Sequence, residues 1–496
     1  MLNDRKLTSQ TRQVAEAALL LLVETLARHR PADRVLAAFL RGRPQLGSRD
    51  RRLISETAFA ILRWWGWLAP LAPPAFHQRL AEAAAAGPPP APADEAGDEA
   101  PDTQPASAAA TTGTPPSTRP AAVPPPDPGP AEAWHPLFLA AHALDGLTFP
   151  DISGYWTGTS PLRQNPTPAV AGQPRTETLA TLGERAATLF RRFRVPPPAG
   201  GFQPAGLVPA WAPSLLAPAV PADTLLPWLQ RRPPLWLRVQ RGEPAAVLAE
   251  LAAAGLCPEP HARLAGAVRV GDARINVFTL PAYREGRVEI QDLASQAVGA
   301  VCAPRPGERW WDACAGAGGK SLQLGALMAN RGTVFATDIR EYKLEDLRRR
   351  ARRAGLCNIQ CRGWDGKPLS PRKATFDGVL VDAPCSCSGT WRRNPGARWS
   401  AEADEPARLA ALQRQILHAA ASGVRPGGVL VYATCSLFRG ENEDVVAAFL
   451  ADHPQFQPEP FTDPITGETV SAGMRLFPPW AGDSDALFTA RLHRQS

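Results

Sequence analysis

Residues 309–320 read RWWDACAGAGGK. A short apolar run from Arg309 to Asp312 breaks into a turn holding Gly316, Gly318 and Gly319, and a helix follows from Lys320. Glycines let a backbone approach a ligand closely, and the helix N-terminus beyond them offers unpaired N–H groups. One such turn is weak evidence, because many α/β folds carry one for packing. Its weight comes from TVFATD ending at Asp338, NIQCRGWD at Asp365, FDGVLVDAPC with Asp382, and GGVLVYATC at Cys435. Apolar runs that end in polar residues, most of them separated by helical stretches, predict a parallel doubly wound sheet with ligand groups at its carboxyl ends. Asp338 follows the last glycine by about twenty residues, the usual distance for an acid that holds ribose hydroxyls. Such acids can also be plain turn formers. A series in phase with a glycine turn favours the ligand reading.

The chain has 496 residues, so two or three domains are expected. The segments read as 1–86 helical, 87–130 a Pro/Ala-rich insertion, 131–230 helical remainder and linker, 231–285 a small αβ subdomain, and 286–496 the main α/β domain. Residues 1–80 give three amphipathic helices, in TRQVAEAALLLLVETLARHR, DRVLAAFLRGR and DRRLISETAFAILRWWGWL. Residues 87–130 have almost no large apolar side chain, cannot offset chain entropy by burial, and are expected to be disordered. WHPLFLAAHALDGL, TETLATLGERAATLFRRF and LVPAWAPSLL read as further helices. In the small subdomain PPLWLRVQR, ARLAGAVRV and ARINVFTL read as strands around a helix in EPAAVLAELAAAGL. GRVEIQDLASQAVGAVCAP reads as a strand running into a helix beside the glycine turn.

Net charge is +7, and residues 1–66 alone hold twelve Lys and Arg against six Asp and Glu. A solvated face and an RNA-backbone surface both fit that excess. Arg348, Arg349, Arg350, Arg352 and Arg353 wrap around one predicted helix and cannot all face one ligand, so a solvated face is expected there. Arg392 and Arg393, directly after the DAPC strand end, are expected at the mouth of the site, where a phosphate backbone passes. Eight cysteines show no disulfide framework, and Cys357/Cys361 and Cys385/Cys387 lack the CxxC spacing or neighbouring histidines of a zinc site. No metal is expected. With no long apolar segment near the N-terminus, the expectation is a cytoplasmic protein away from the membrane.

Two cysteines change the reading from dinucleotide binding to methyl transfer: Cys385 after Asp382, and Cys435 in YATCS. RWWDACAGAGGK, LVDAPCSCSGTWRRNP and LVYATCSLFRGENEDVV resemble the cofactor, proline-cysteine and threonine-cysteine motifs of the RsmB-type (Sun, Fmu) RNA cytosine-5 methyltransferases. IQDLASQAVG and GMRLFPPWAGDSDALFTARL resemble their approach to the cofactor motif and their C-terminal strand pair. GSRDRRLISETAFAILRW resembles a NusB-like RNA-binding domain. The resemblance implies a Rossmann-like class I methyltransferase domain, preceded by a small αβ subdomain and an all-helical NusB-like N-terminal domain. It implies S-adenosylmethionine as methyl donor, lined by Cys314, Ala315, Gly316, Ala317, Gly318, Gly319, Lys320, Asp338, Asp365 and Asp382. Cys435 is then the nucleophile, and Cys385 assists breakdown of the adduct. Asp382 holds the cytosine edge, and Lys320 offers positive charge to a thiol that is only a few per cent ionised at its free pKa of about 8.5. Arg238, Arg392 and Arg393 are the expected RNA contacts, ribosomal RNA of the small subunit is the favoured partner, and a monomer is expected. The sequence departs from the family at Ala317, where a proline is usual, and at Cys387, an extra thiol. The alternatives are a silent RNA-binding assembly factor and a DNA cytosine-5 methyltransferase, which uses the proline-cysteine thiol. A nicotinamide-dependent dehydrogenase leaves both thiols unexplained.

Overall fold

The structure, a computed structural model, describes residues 4–86, 127–157, 178–271, 275–368 and 375–496. The segment expected to be a disordered insertion therefore lies, over 87–126, outside the described residues. Four helices open the chain, Asp4–Leu26, Ala32–Arg41, Ser48–Leu68 and Pro74–Ala85. The last, absent from the sequence reading, starts on Pro74, where the missing N–H of proline costs nothing. Helices His135–Asp145 and Leu179–Phe193 form as expected. LVPAWAPSLL does not: Pro209 and Pro213 interrupt it, and only a 3-10 turn forms over Ala212–Leu215.

A small antiparallel sheet follows, with strands β1 (Leu235–Val239), β2 (Pro258–Pro260), β3 (Ala267–Val270) and β4 (Val288–Ile290) in the order β2-β3-β1-β4. Leu237, Val247, Leu251, Val268 and Val288 fill the core between it and the helix Pro244–Ala253. ARINVFTL, expected as a strand, forms a 3-10 turn at Val277–Thr279 in its described part. The Asn276 side chain accepts the Phe278 N–H at 3.1 Å and caps that turn, a local bond that competes with strand pairing.

The main sheet contains β5 (Arg309–Asp312), β6 (Thr333–Asp338), β7 (Ile359–Gly363), β8 (Phe376–Asp382), β9 (Val424–Thr434) and β10 (Phe456–Pro458). A two-stranded ribbon, β11 (Phe461–Thr462) and β12 (Thr469–Val470), precedes β13 (Met474–Phe477) and β14 (Leu487–Arg494). The order is β10-β14-β9-β8-β5-β6-β7, with β13 also on β14. Strands β9, β8, β5, β6 and β7 run parallel, and β14 is antiparallel to β9. This is a Rossmann-like sheet of the class I methyltransferase type. The chain winds outward in both directions from β5, so the crevice lies beyond the carboxyl ends of β5 and β8.

Both faces of the sheet are covered, as parallel strands require. Successive side chains of a strand alternate, so Trp310 joins one core with Leu293, Leu380 and Val431, and Trp311 joins the other with Phe376, Val379 and Tyr432. The second core is continuous with the N-terminal helices through residues such as Trp64 and Leu207. Buried arginines reinforce that junction. Arg398 donates to the carbonyls of Leu207 (2.9 Å), Trp391 (3.1 Å) and Leu229 (3.2 Å), and Trp399 Nε1 donates to Leu62 O at 2.7 Å. Burial lowers the Arg398 pKa to about 9, and the carbonyls take the place of water around the cation. Among the described residues, no helix is long and apolar enough to cross a membrane.

The β5–β8 register places Trp310 opposite Gly378, and a Cβ at that glycine would lie 2.3 Å from the indole ring. Gly378→Ala should destabilise the protein by about 1–3 kcal/mol through overpacking. The check is the urea midpoint at unchanged slope; an unshifted midpoint contradicts this packing.

Candidate active site

The glycine turn after β5 uses its glycines differently. Gly316 has φ +51° with no atom within 4 Å of a would-be Cβ, whereas Gly318, at φ +87°, has the Leu347 side chain 2.0 Å from that point. The first leaves room for a ligand and the second for a neighbouring helix. The Asp338 carboxylate, at the end of β6, accepts the Gly316 N–H (2.8 Å) and the Arg340 N–H (2.9 Å) and side chain (3.0 Å). Burial would raise its pKa, but these bonds outweigh it and hold the carboxyl below its usual range. Beneath the turn Asp312 is 1% exposed, accepts the Ser321 hydroxyl at 2.6 Å, and has its other oxygen unpartnered. Burial pushes its pKa up to about 7. Sequence reading treats Asp312 only as the end of a strand. Its position just before the turn is the signal that could have marked it.

Lys320, in the first turn of the helix Gly319–Leu327, is buried and reaches Asp382 at 2.7 Å. Burial disfavours its charge, yet attraction to Asp382 outweighs that and raises the pKa, so the ammonium persists. Strands β8 and β9 are paired parallel with Asp382 beside Ala433, which brings the chain after each strand to one place. Gly389 N donates to Cys435 O at 2.8 Å, and the sulfurs of Cys385 and Cys435 lie 3.3 Å apart. The Cys435 thiol is held well above its ordinary range. The contact with Cys385 favours the thiolate, but the contact with Cys387, burial and the charge on Asp382 outweigh it.

A second layer fixes the two loops. Glu441, fully buried, accepts Ser386 N–H (2.9 Å), Ser386 Oγ (2.5 Å), Ser436 Oγ (2.5 Å) and Gln413 Nε2 (3.0 Å). Ser386 and Ser436 each follow one of the paired cysteines. The sequence reading leaves Glu441 out, although GENEDVV places it six residues after Cys435.

The structure thus brings together Cys385, Cys435, Asp382 and Lys320, with Cys314, Ala315, Gly316, Ala317, Gly318, Gly319 and Asp338 in and beside the turn. Asp365 stands apart, past the edge strand β7 and in an exposed pair with Lys367 at 2.7 Å. Of the three arginines expected at the RNA, Arg238 and Arg392 are buried and Arg393 is half-buried. Arg238 is 4% exposed and donates to Gly319 O (3.0 Å) and Gln240 (2.8 Å), which buttresses the glycine turn. Arg392 is wholly buried against Asp483 (2.7 Å) and Ser484 O (2.9 Å). Arg393 bridges Asp485 (2.8 Å) and Asp292 (3.0 Å). Carboxylates distant in sequence recruit both into the junction between the loop and the C-terminal strand pair. The arginine-rich helix Glu341–Ala354 is also only partly a solvated face, since Arg350 turns inward to Ala317 O (2.7 Å) and the buried Glu289 (2.8 Å), and Arg353 also pairs with Glu289.

Residues 300–493 match the family described as 16S rRNA methyltransferase RsmB/F. Similar chains include ribosomal RNA small subunit methyltransferase B of Sodalis glossinidius, 34% identical over 58% of this chain and 66% of that one. Proteins described as probable ribosomal RNA small subunit methyltransferase B are 35% identical in Synechocystis (55% of this chain, 63% of that one) and 39% in Bacillus subtilis (36% and 40%). The alignments thus span less than two thirds of these relatives' own length. The crystal structure of PH0851 superposes with a TM-score of 0.63 at 20% identity, over 97% of this chain and 99% of that one, and so shares the fold. Over residues 300–493 the chain is thus similar to the 16S rRNA methyltransferase RsmB/F family.

Proposed function

We propose that the protein is an S-adenosylmethionine-dependent RNA methyltransferase that forms 5-methylcytosine, with small-subunit ribosomal RNA as the favoured substrate. The observation that carries this reading is the pair of sulfurs 3.3 Å apart at the ends of neighbouring strands, in the same crevice as the Lys320–Asp382 pair. The names of the matched relatives support the substrate class.

The residues fit the methyl donor. Gly316 leaves open space, Asp338 is an ionised acceptor at the usual place for a ribose, and the unpartnered Asp312 oxygen lies beneath the turn. Residues Cys314 to Lys320, with Asp338 and Asp382, would hold it, and Asp365 would reach it only from the rim. When bound, S-adenosylmethionine supplies an electrophilic methyl group on a sulfonium centre.

Cytosine carbon 5 is a poor nucleophile, and the protein's task is to make it a better one. Cys435 adds its sulfur to carbon 6, which opens the 5,6 double bond and moves electron density to carbon 5. Cys385, donating its S–H toward Cys435, favours charge on the attacking sulfur. Lys320 gives Asp382 a nearby proton source, so this pair can donate to the ring nitrogen as negative charge develops there. Once carbon 5 is methylated its proton must leave before the C6–S bond breaks, and Cys385 is assigned to that step. The target base must stand clear of its stack to reach the crevice.

Cys435→Ala should lower methyl transfer by about a thousandfold or more, measured with tritiated methyl donor on unmodified small-subunit RNA. Undiminished transfer eliminates it as nucleophile. Cys385→Ala should instead trap a protein–RNA adduct that survives denaturing gels, and no band from that variant with Cys435 intact contradicts the division of roles. Because the Cys435 thiol sits above its ordinary range, the single-turnover rate should climb close to tenfold per pH unit through neutrality. A profile flat from mildly acidic to mildly alkaline pH contradicts a neutral resting thiol.

A further inference from the structure

Cys387 sits beside the two paired cysteines, yet the proposed chemistry leaves it without a task. Its backbone is left-handed, φ +54°, a conformation that favours glycine and that other residues adopt at a cost. Strain of this kind, in a loop beside reactive groups, points to a function for the side chain it aims. Its sulfur donates to Cys385 O at 3.4 Å and so turns back over the proposed catalytic pair. The sulfurs of Cys385, Cys387 and Cys435 all lie within 4.8 Å of one another, with Cys385 and Cys435 at 3.3 Å.

Zinc–thiolate bonds of about 2.3 Å at tetrahedral angles separate ligand sulfurs by about 3.8 Å. The observed spacing brackets that value, so side-chain rotations close the site without movement of the strands. Three thiolates are the soft donor set that selects thiophilic ions over Mg²⁺ or Ca²⁺. Cys387 and Cys435 are half-buried rather than sealed, which leaves the crevice as an entry path. A divalent ion on three thiolates carries a net single negative charge, and the Lys320 ammonium lies close enough to Cys435 to interact with it.

We propose that Cys385, Cys387 and Cys435 form a binding site for a thiophilic divalent cation of the Zn²⁺ and Cd²⁺ class, which reversibly caps the reactive sulfurs. Binding replaces three S–H bonds with three S–metal bonds and releases three protons to solvent. No electron is transferred, and a fourth position remains for water. The site itself stands on the geometry of the three sulfurs. Only its inhibitory consequence rests on the methyltransferase reading.

The test uses the full chain, reduced, with the exposed Cys257 and Cys357 changed to Ser to remove competing thiols. Cd²⁺ titration, followed by the thiolate-to-metal charge-transfer absorption, should show one saturable site per chain that Zn²⁺ displaces and a chelator empties. Cys387→Ser should weaken it at least about tenfold, with Cys387→Ala as the second variant should the first fail to keep its circular dichroism. Zn²⁺ should also stop methyl transfer by the parent chain until chelator is added, while Cys387→Ser should tolerate at least about tenfold more. Binding that is absent, or unchanged by both Cys387 variants, overturns the proposal. Loss of Cd²⁺ binding in the variants of an enzyme without methyltransferase activity would uphold the site and sink only the function proposed above.

Discussion

A single buried carboxylate sets the geometry of the site. Glu441 takes hydrogen bonds from Ser386 and Ser436, the residues that follow Cys385 and Cys435, and so ties together two segments fifty residues apart. Tyr432, on β9, adds a 2.6 Å bond to the Glu441 carbonyl, and Asn442 accepts Thr434 Oγ1 at 2.5 Å and donates to Ser436 O at 2.9 Å. The parallel β8–β9 register brings the strand ends side by side, and the carboxylate fixes the loops beyond them to the precision that two sulfurs in contact require. A carboxyl group buried this completely needs all of its bonds, since each lost partner leaves desolvation uncompensated. Rigid support of this kind is what the proposed two-thiol mechanism requires.

The same logic extends through the junction between the helical part and the sheet. Arg63, whose pKa burial lowers to about 10, pairs with Asp145 at 3.0 Å and donates to the carbonyl of Arg392 at 2.6 Å. Arg398 and Trp399 complete the contact from the other side. Helices that begin the chain are thereby built into the back of the loop that carries Cys385. Glu289, on the small sheet, receives Arg350 and Arg353 from the main domain, and Arg238 holds Gly319 O. Charged residues in these places are joints between units, and they fix how the glycine turn faces the sulfurs.

The strand sequence of the main sheet was legible because parallel strands covered on both faces appear as plain apolar runs, and TVFATD, FDGVLVD and GGVLVYAT all form as read. The site pair was legible for the same reason, since strand ends in a doubly wound sheet converge. What the sequence concealed was pairing at a distance. Arg393 lies 101 residues from Asp292 and 92 from Asp485, so nothing local distinguishes it from a surface cation. The run DLRRRARR likewise gives no sign that Arg350 and Arg353 find a buried carboxylate while Arg348 and Arg349 pair with acids on the exposed side of their own helix. Cys385 and Cys387 lack zinc-site spacing by themselves, and the third sulfur near them, that of Cys435, comes from just past the end of β9, where no spacing rule looks.

In the proposed mechanism Cys435, and no other thiol in the crevice, bonds to the pyrimidine. RNA carrying 5-fluorocytosine at the target blocks loss of the carbon 5 substituent and should hold the covalent intermediate on the unmodified protein. Peptide mass spectrometry of that complex should find the nucleotide on Cys435. A nucleotide on Cys385 or Cys387, or transfer without any adduct, would contradict the account.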